Sequence, residues 1–167
     1  MRDVLKGEPL RIVPFAPALR DHFYRINAAW LERYFHLEPI DRRVLREPET
    51  SVLAAGGAIL FALLGASVVG TCALLCEAPG VYELSKMGVD EAFQGRGVGK
   101  RLLQAAIEEF HRRDGHTLFL ESSSRLSPAL QMYRKAGFVL QPGTREGSHY
   151  QRADVYMVYQ PTAGAVA

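Results

Sequence analysis

The chain has 167 residues, 48% of them hydrophobic, with a formal net charge of +2 and a pI near 8.6. That length suits one domain with a sizeable core, and the mild positive balance, scattered except around Arg96, Lys100 and Arg101, gives no nucleic-acid-binding footprint. Residues 1–10 mix both signs of charge with Pro9 and lack an apolar h-region, so they do not read as a signal peptide.

After a tail at residues 1–9, residues 10–15 read as a first strand. Residues 17–35 read as a helix, with Leu19, Phe23, Ile26, Trp30 and Tyr34 at helical spacing, and a second short helix covers residues 40–46 before Pro48. Residues 51–76 contain no charged side chain, long enough to span a bilayer. Gly56, Gly57, Gly65 and Gly70 punctuate that run, and a hairpin of two buried strands, residues 58–64 and 67–76, explains the same letters. Membrane association is therefore not expected, and the uncharged tip at Gly65 is expected to pack against something. Cys72 and Cys76 share one strand face with no His or Cys nearby to complete a metal site. They read as small core residues in a reducing cytoplasm, and no metal is expected.

An alternating strand covers residues 81–89, and residues 90–93 bend into Gln94-Gly95-Arg96-Gly97-Val98-Gly99. The helix that follows turns Val98, Leu102, Leu103, Ala106, Ile107 and Phe110 to one side and Arg101, Gln104, Glu108 and Arg112 outward, until Asp114-Gly115 stops it. Residues 117–121 form a strand. Ser127-Pro128 reads as a helix start with Ser127 as hydroxyl N-cap, and Gly137 as its stop. Residues 138–140 and 153–159 are closing strands. This is one mixed α/β domain over residues 10–160, followed by a tail at 161–167.

The glycine-rich loop between a strand and a helix N-terminus is a site for anionic oxygens. Glycines let the backbone approach, N–H groups point at the ligand, and the helix dipole adds about half a positive charge. Arg96 and Lys100 add full charges. A P-loop would need glycine where Gln94 stands and a hydroxyl where Arg101 stands. A dinucleotide fingerprint would need G-x-G-x-x-G after the first strand, whereas these glycines run G-x-G-x-G late in the chain. The cradle is for a pyrophosphate of another kind.

The pattern that matches is Gln/Arg-x-x-Gly-x-Gly/Ala. With Tyr82 to Val89 before it, Ser127-Pro128-Ala129 and Tyr133-Arg134-Lys135-Ala136-Gly137-Phe138 after it, the chain resembles the GNAT family of acetyl-CoA-dependent N-acetyltransferases. The order and spacing cover about residues 12–160. Tyr150-Gln151-Arg152-Ala153-Asp154-Val155 also resembles GNAT domains often fused to MarR-type regulators. The resemblance implies an α+β fold, a mixed and mostly antiparallel sheet flanked by helices. It implies acetyl-CoA as co-substrate and an amine acceptor of unstated identity; a homodimer is a common arrangement in the family.

By the same resemblance, the backbone at Met87, Gly88 and Val89 pairs with the pantetheine arm, and Gln94, Gly95, Arg96, Gly97, Val98, Gly99 and Lys100 hold the pyrophosphate. Pro128 and Tyr133 belong to the same cofactor set. Ser123 stands where many relatives carry Asn; it offers one hydrogen bond in place of the amide's two. Glu83 matches the strand glutamate that serves as general base in the histone-acetyltransferase branch, and alternation puts it on a face with Ser85, Met87 and Val89. A clamp for the substrate ammonium, or a salt bridge to Lys86 or an arginine, is the alternative role. Tyr133 occupies the family's tyrosine position, a proton donor to the departing thiolate or a ring packed inward. Trp30, Tyr34, Glu38, Glu83, His149 and Tyr150 are acceptor-pocket candidates. Carboxylates there suit a cationic amine, while Arg42, Arg145 and Arg152 suit a carboxylate. An acyl-enzyme on cysteine is not expected, because Cys72 and Cys76 lie well before the cofactor strand with no paired His. A non-catalytic acetyl-CoA sensor, and a longer acyl donor, are the competing readings.

Overall fold

A computed structural model of the chain describes residues 8–161; most of both expected tails lies outside the described residues. Strands β1 (Leu10–Pro14), β2 (Ala58–Leu64), β3 (Ser67–Ala78), β4 (Val81–Val89), β5 (Thr117–Ser122), β6 (Phe138–Leu140) and β7 (Val155–Tyr159) form one sheet in the order β1-β2-β3-β4-β5-β7-β6. Every neighbouring pair is antiparallel except β4 and β5. Helices α1 (Arg20–Tyr34) and α2 (Pro39–Arg46) cover one face; α3 (Val98–Arg112) and α4 (Ser127–Ala136) cover the other.

The uncharged run is the expected hairpin. Along β2, Ala58, Leu60, Ala62 and Leu64 pack toward α3, while Ile59 and Phe61 pack toward α1 and α2. A strand covered on both faces needs apolar residues at every position, which is why it carries no charge. Its tip is not packed as expected: Ala66 and Ser67 are exposed, and Gly65 meets the exposed carboxylate of Glu8. Among the described residues no helix is long and apolar enough to cross a membrane.

Several boundaries differ from expectation for identifiable reasons. Residues 17–19 form a 3-10 turn, and α1 proper begins at Arg20. A π-helical turn, Glu49–Leu53, precedes β2 and buries Val52. Ser127 is not the N-cap of α4; Leu126 holds that position with no side-chain cap, and Gly137 ends the helix at φ +112° as expected. β7 begins only at Val155, because the Asp154 carboxylate is held by Ser124, which donates from N at 2.8 Å and from Oγ at 2.6 Å.

The largest correction concerns β4. Lys86 adopts φ +50°, and the ladder with β3 slips there, passing from Ala73–Ser85 to Thr71–Gly88. The extra residue is a bulge, and a bulge reverses the phase of alternation. Leu84, Met87 and Val89 therefore pack toward α3, whereas Glu83 lies on the opposite face, where a Cβ at Gly88 would strike Trp30 of α1. Glu83 does not share a face with Met87 and Val89.

Candidate active site

β4 and β5 pair only along Val81–Glu83 and Thr117–Phe119. Beyond that ladder β5 leans on β7, through Ser122–Val155, and the two parallel strands part. The gap is a cavity of about 610 Å³, within the usual range for a small-molecule site. Residues 84–89 form one wall; their backbone pairs with β3 on one side and has no strand on the side that faces β5. Residues 120–123 of β5 and its following turn form the other.

The cradle closes one end. Gly95 and Gly97 have φ +77° and +80°, a region that side-chain-bearing residues adopt only with strain, and a Cβ at either would meet nothing within 4 Å. Gly97 is the N-cap of α3, so the first-turn N–H groups of that helix face open space. The bend before it is pinned: Asp90 Oδ1 accepts from Ala92 N at 3.1 Å, and its Oδ2 pairs with Arg25 at 3.0 Å. Met87, Gly88, Val89, Gln94, Gly95, Gly97, Val98, Gly99, Lys100, Ser123, Pro128 and Tyr133 all line the cavity. Arg96 does not; its guanidinium lies 5.5 Å from the Phe93 ring centroid. Ser123 is buried, and its Oγ accepts from Arg125 N at 3.2 Å. Tyr133 packs edge-on to Phe138, and burial, then the nearby Cys72, pushes its phenol up to about 12.

Opposite the cradle, α2 and the chain before β7 build a buried ionic cluster. Asp41 Oδ1 accepts from Lys86 Nζ at 2.7 Å and from Arg152 Nη2 at 2.9 Å. Arg152 Nη1 donates to Asp41 Oδ2 and to Glu38 Oε2, each at 2.7 Å, and Gln151 N donates to Glu38 Oε1 at 3.1 Å. Two acids and two bases make the cluster neutral. Burial pushes the Asp41 carboxyl up, but the bonds and charges of Arg152 and Lys86 outweigh it and hold the group at about 2. Burial lowers Lys86, with Asp41 opposing. Lys86 Nζ also donates to Tyr150 Oη at 3.3 Å.

Glu83 is 2% exposed and does not line the cavity; Glu121 does. One oxygen of each, Oε2, is buried without a hydrogen-bond partner. Burial and then the charge of Glu121 push the Glu83 carboxyl up to about 8. Of the acceptor-pocket candidates, Trp30, Tyr34 and Tyr150 line the cavity; Glu38 is spent on Arg152, and His149 stands outside. Glu121, Phe35 and Arg125 are lining residues the sequence did not single out; Lys86, read as an alternative partner of Glu83, lines the cavity too but pairs with Asp41. Glu121 lies two residues beyond Phe119, the cross-strand partner of Glu83, hence on the same face as Glu83, a relation that only the pairing of β4 with β5 reveals.

Comparison with known proteins agrees with this architecture. The family model described as "Acetyltransferase (GNAT) domain" matches residues 55–140, more than half of the chain. N-alpha-acetyltransferase RimI of Mycobacterium tuberculosis is 36% identical over 97 residues, 58% of this chain; the match spans 56% of that relative's length. A GNAT-family acetyltransferase structure from Staphylococcus aureus superposes with a TM-score of 0.79 at 17% identity, covering 90% of this chain and 98% of that one. The structure of yncA from Salmonella typhimurium, with its cofactor acetyl-CoA, gives a TM-score of 0.70 at 17% identity over 90% and 93% of the two chains. With the splayed strand pair, the glycine cradle and the motif order in agreement, this chain belongs to the GNAT acetyltransferase family.

Proposed function

We propose that the protein transfers the acetyl group of acetyl-CoA to a primary amine, with direct attack by the amine. The observation that carries this reading is the edge of β4 left unpaired on the β5 side, which leads through the bend at residues 90–96 to the helix N-terminus at Gly97. An extended backbone followed by an anion cradle suits a donor with amides along its arm and a pyrophosphate beyond them. The open space at Gly95 and Gly97, with Lys100 beside it, fits that group. The relatives, an N-alpha-acetyltransferase and an acetyltransferase structure with acetyl-CoA, support the same donor and reaction class.

The donor supplies an activated acyl group and a thiol leaving group; positioning and proton movement fall to the chain. A backbone N–H of β4 polarises the thioester carbonyl. Glu121 faces the cavity with Glu83 behind it, and burial together with the charge of Glu121 keeps the Glu83 carboxyl protonated at neutral pH. With Glu83 kept neutral, Glu121 accepts the amine proton and passes it to solvent. The C–N bond forms, the C–S bond breaks, and Tyr133, protonated at neutral pH, gives its proton to the sulfur. The products are an N-acetyl amide and CoA thiol. Cys72 is fully buried and its thiol is pushed up to about 12, which argues against an acyl-enzyme there.

A thermal melt with acetyl-CoA, CoA and ATP tests the donor, and CoA release against a panel of amines tests the transfer. Near a hundredfold excess over Kd a ligand adds roughly 2.7 kcal/mol, a shift of several degrees for a domain of this size. Shifts with both CoA species but not ATP, followed by turnover, are expected. No shift overturns the donor assignment; a shift without turnover on any amine points to a sensor.

A further inference from the structure

We propose that the acceptor is a free α-amino acid with an apolar side chain, its carboxylate held by Arg125. This rests on the transfer reading above and narrows it. Five charged side chains line the cavity: Lys86, Lys100, Glu121, Arg125 and Arg152. Lys100 belongs to the cradle. Lys86 and Arg152 are matched by Asp41 and Glu38, so that cluster offers a ligand no net charge. Glu121 and Arg125 are left, one of each sign and four residues apart.

Arg125 pairs with no carboxylate among the described residues. Its guanidinium instead sits 5.0 Å from the ring centroid of Phe35, at the end of α1, and its backbone is tied to Ser123 in the turn after β5. Stacking leaves the edge of the planar fork free, the edge that binds a carboxylate in bidentate fashion. Trp30 meets Phe35 edge-on at 6.3 Å, and together with Tyr34 they give this end of the cavity an aromatic wall. A zwitterion answers both uncommitted charges, its amine toward Glu121 and its carboxylate toward Arg125, with the apolar side chain on the wall. A polyamine leaves Arg125 facing a like charge. A protein N-terminus presents a neutral peptide carbonyl where the guanidinium asks for an anion. The reaction needs no further reagent: the amino acid nitrogen takes the acetyl group, and the donor leaves as thiol.

The experiment measures CoA release by the full chain with L-phenylalanine and L-methionine, their carboxamides, and the tripeptide Phe-Ala-Ala. The free acids are expected to exceed the carboxamides and the peptide in kcat/KM by about tenfold or more, the scale of one charge-assisted contact. Arg125→Gln should raise KM for the free acids by a similar factor, erase their advantage over the carboxamides, and leave KM for acetyl-CoA unchanged; Arg125→Lys should restore part of it. Equal or better turnover of carboxamides or peptide overturns the proposal while leaving acetyl transfer standing. So does an Arg125→Gln effect confined to KM for acetyl-CoA, which would give Arg125 to the donor. Turnover with no amine at all removes the transfer reading itself.

Discussion

Lys86 Nζ lies 2.7 Å from Asp41 Oδ1, with 2% of one side chain and none of the other exposed, so the bulge of β4 is fastened to α2 by a dry ion pair. A lysine at φ +50° is strained by about 1–2 kcal/mol, and this bond compensates for it. Removing one partner of such a pair leaves a buried charge unanswered, at a typical cost of 3–5 kcal/mol. Asp41→Asn should therefore destabilise the fold on that scale in urea titration, because it strands both Lys86 and Arg152.

The same carboxylate sets an acid limit. Asp41 sits at about 2 when folded, against ~3.9 unfolded, so its stabilisation is complete above pH ~4. It is lost as the pH falls from ~4 through 2. Wild type should lose stability steeply across that window, and Asp41→Asn should show a flatter curve there; melts from pH 2 to 6 check it.

Glu83 behaves in the opposite sense. Its carboxyl stands near 8 when folded and ~4.3 unfolded, so the native state binds the proton more tightly. Each pH unit gained between ~4 and 8 costs about 1.4 kcal/mol from this group. Glu83→Gln keeps the shape without the charge, and should raise Tm over wild type at pH 8.5 while nearly matching it at pH 4.

The proton-transfer assignment separates two carboxylates. Glu121→Gln should lower kcat by roughly 10²–10⁴, the usual span for a general base, with little change in KM for acetyl-CoA. Glu83→Gln should cost less in kcat and move the basic limb of the pH–rate profile. Tyr133→Phe should lower kcat and leave acetyl-CoA binding, read by melting shift, unchanged.

Much of this site was legible in the letters. The cradle announces itself because left-handed backbone at a helix start demands glycine, and Gly95 and Gly97 both adopt it. The hairpin was readable because strands buried on both faces exclude charge. The phase of β4 was not. A lysine carries no mark of a positive φ, and one slipped residue moves Glu83 to the other face of the sheet. The partnership of Glu83 with Glu121 was hidden for a different reason: it depends on β4 and β5 being neighbours, and α3 separates them in sequence. The ionic cluster joins residues more than a hundred positions apart, beyond any local pattern.

Two glycines should fail differently. A Cβ at Gly88 would stand 2.8 Å from Trp30 Cδ1 and 2.9 Å from its Nε1, so Gly88→Ala must displace the indole. It should cost about 1–3 kcal/mol and raise KM for the amine. At Gly97 there is room but the wrong backbone angle, so Gly97→Ala should raise KM for acetyl-CoA with a smaller effect on the amine.

The short ladder between Val81–Glu83 and Thr117–Phe119 makes the sheet two panels on a narrow hinge, β1 to β4 on one side and β5 to β7 on the other. Few hydrogen bonds resist a twist along that seam, and Arg152, reaching from the second panel to α2, is the clasp opposite it. A molecule bridging the gap works as mortar, adding bonds to both walls at once. Amide exchange at Val81–Glu83 should therefore slow when acetyl-CoA is added, although the ligand touches none of those three residues; the stiffness of this sheet is a property it shares with what it holds.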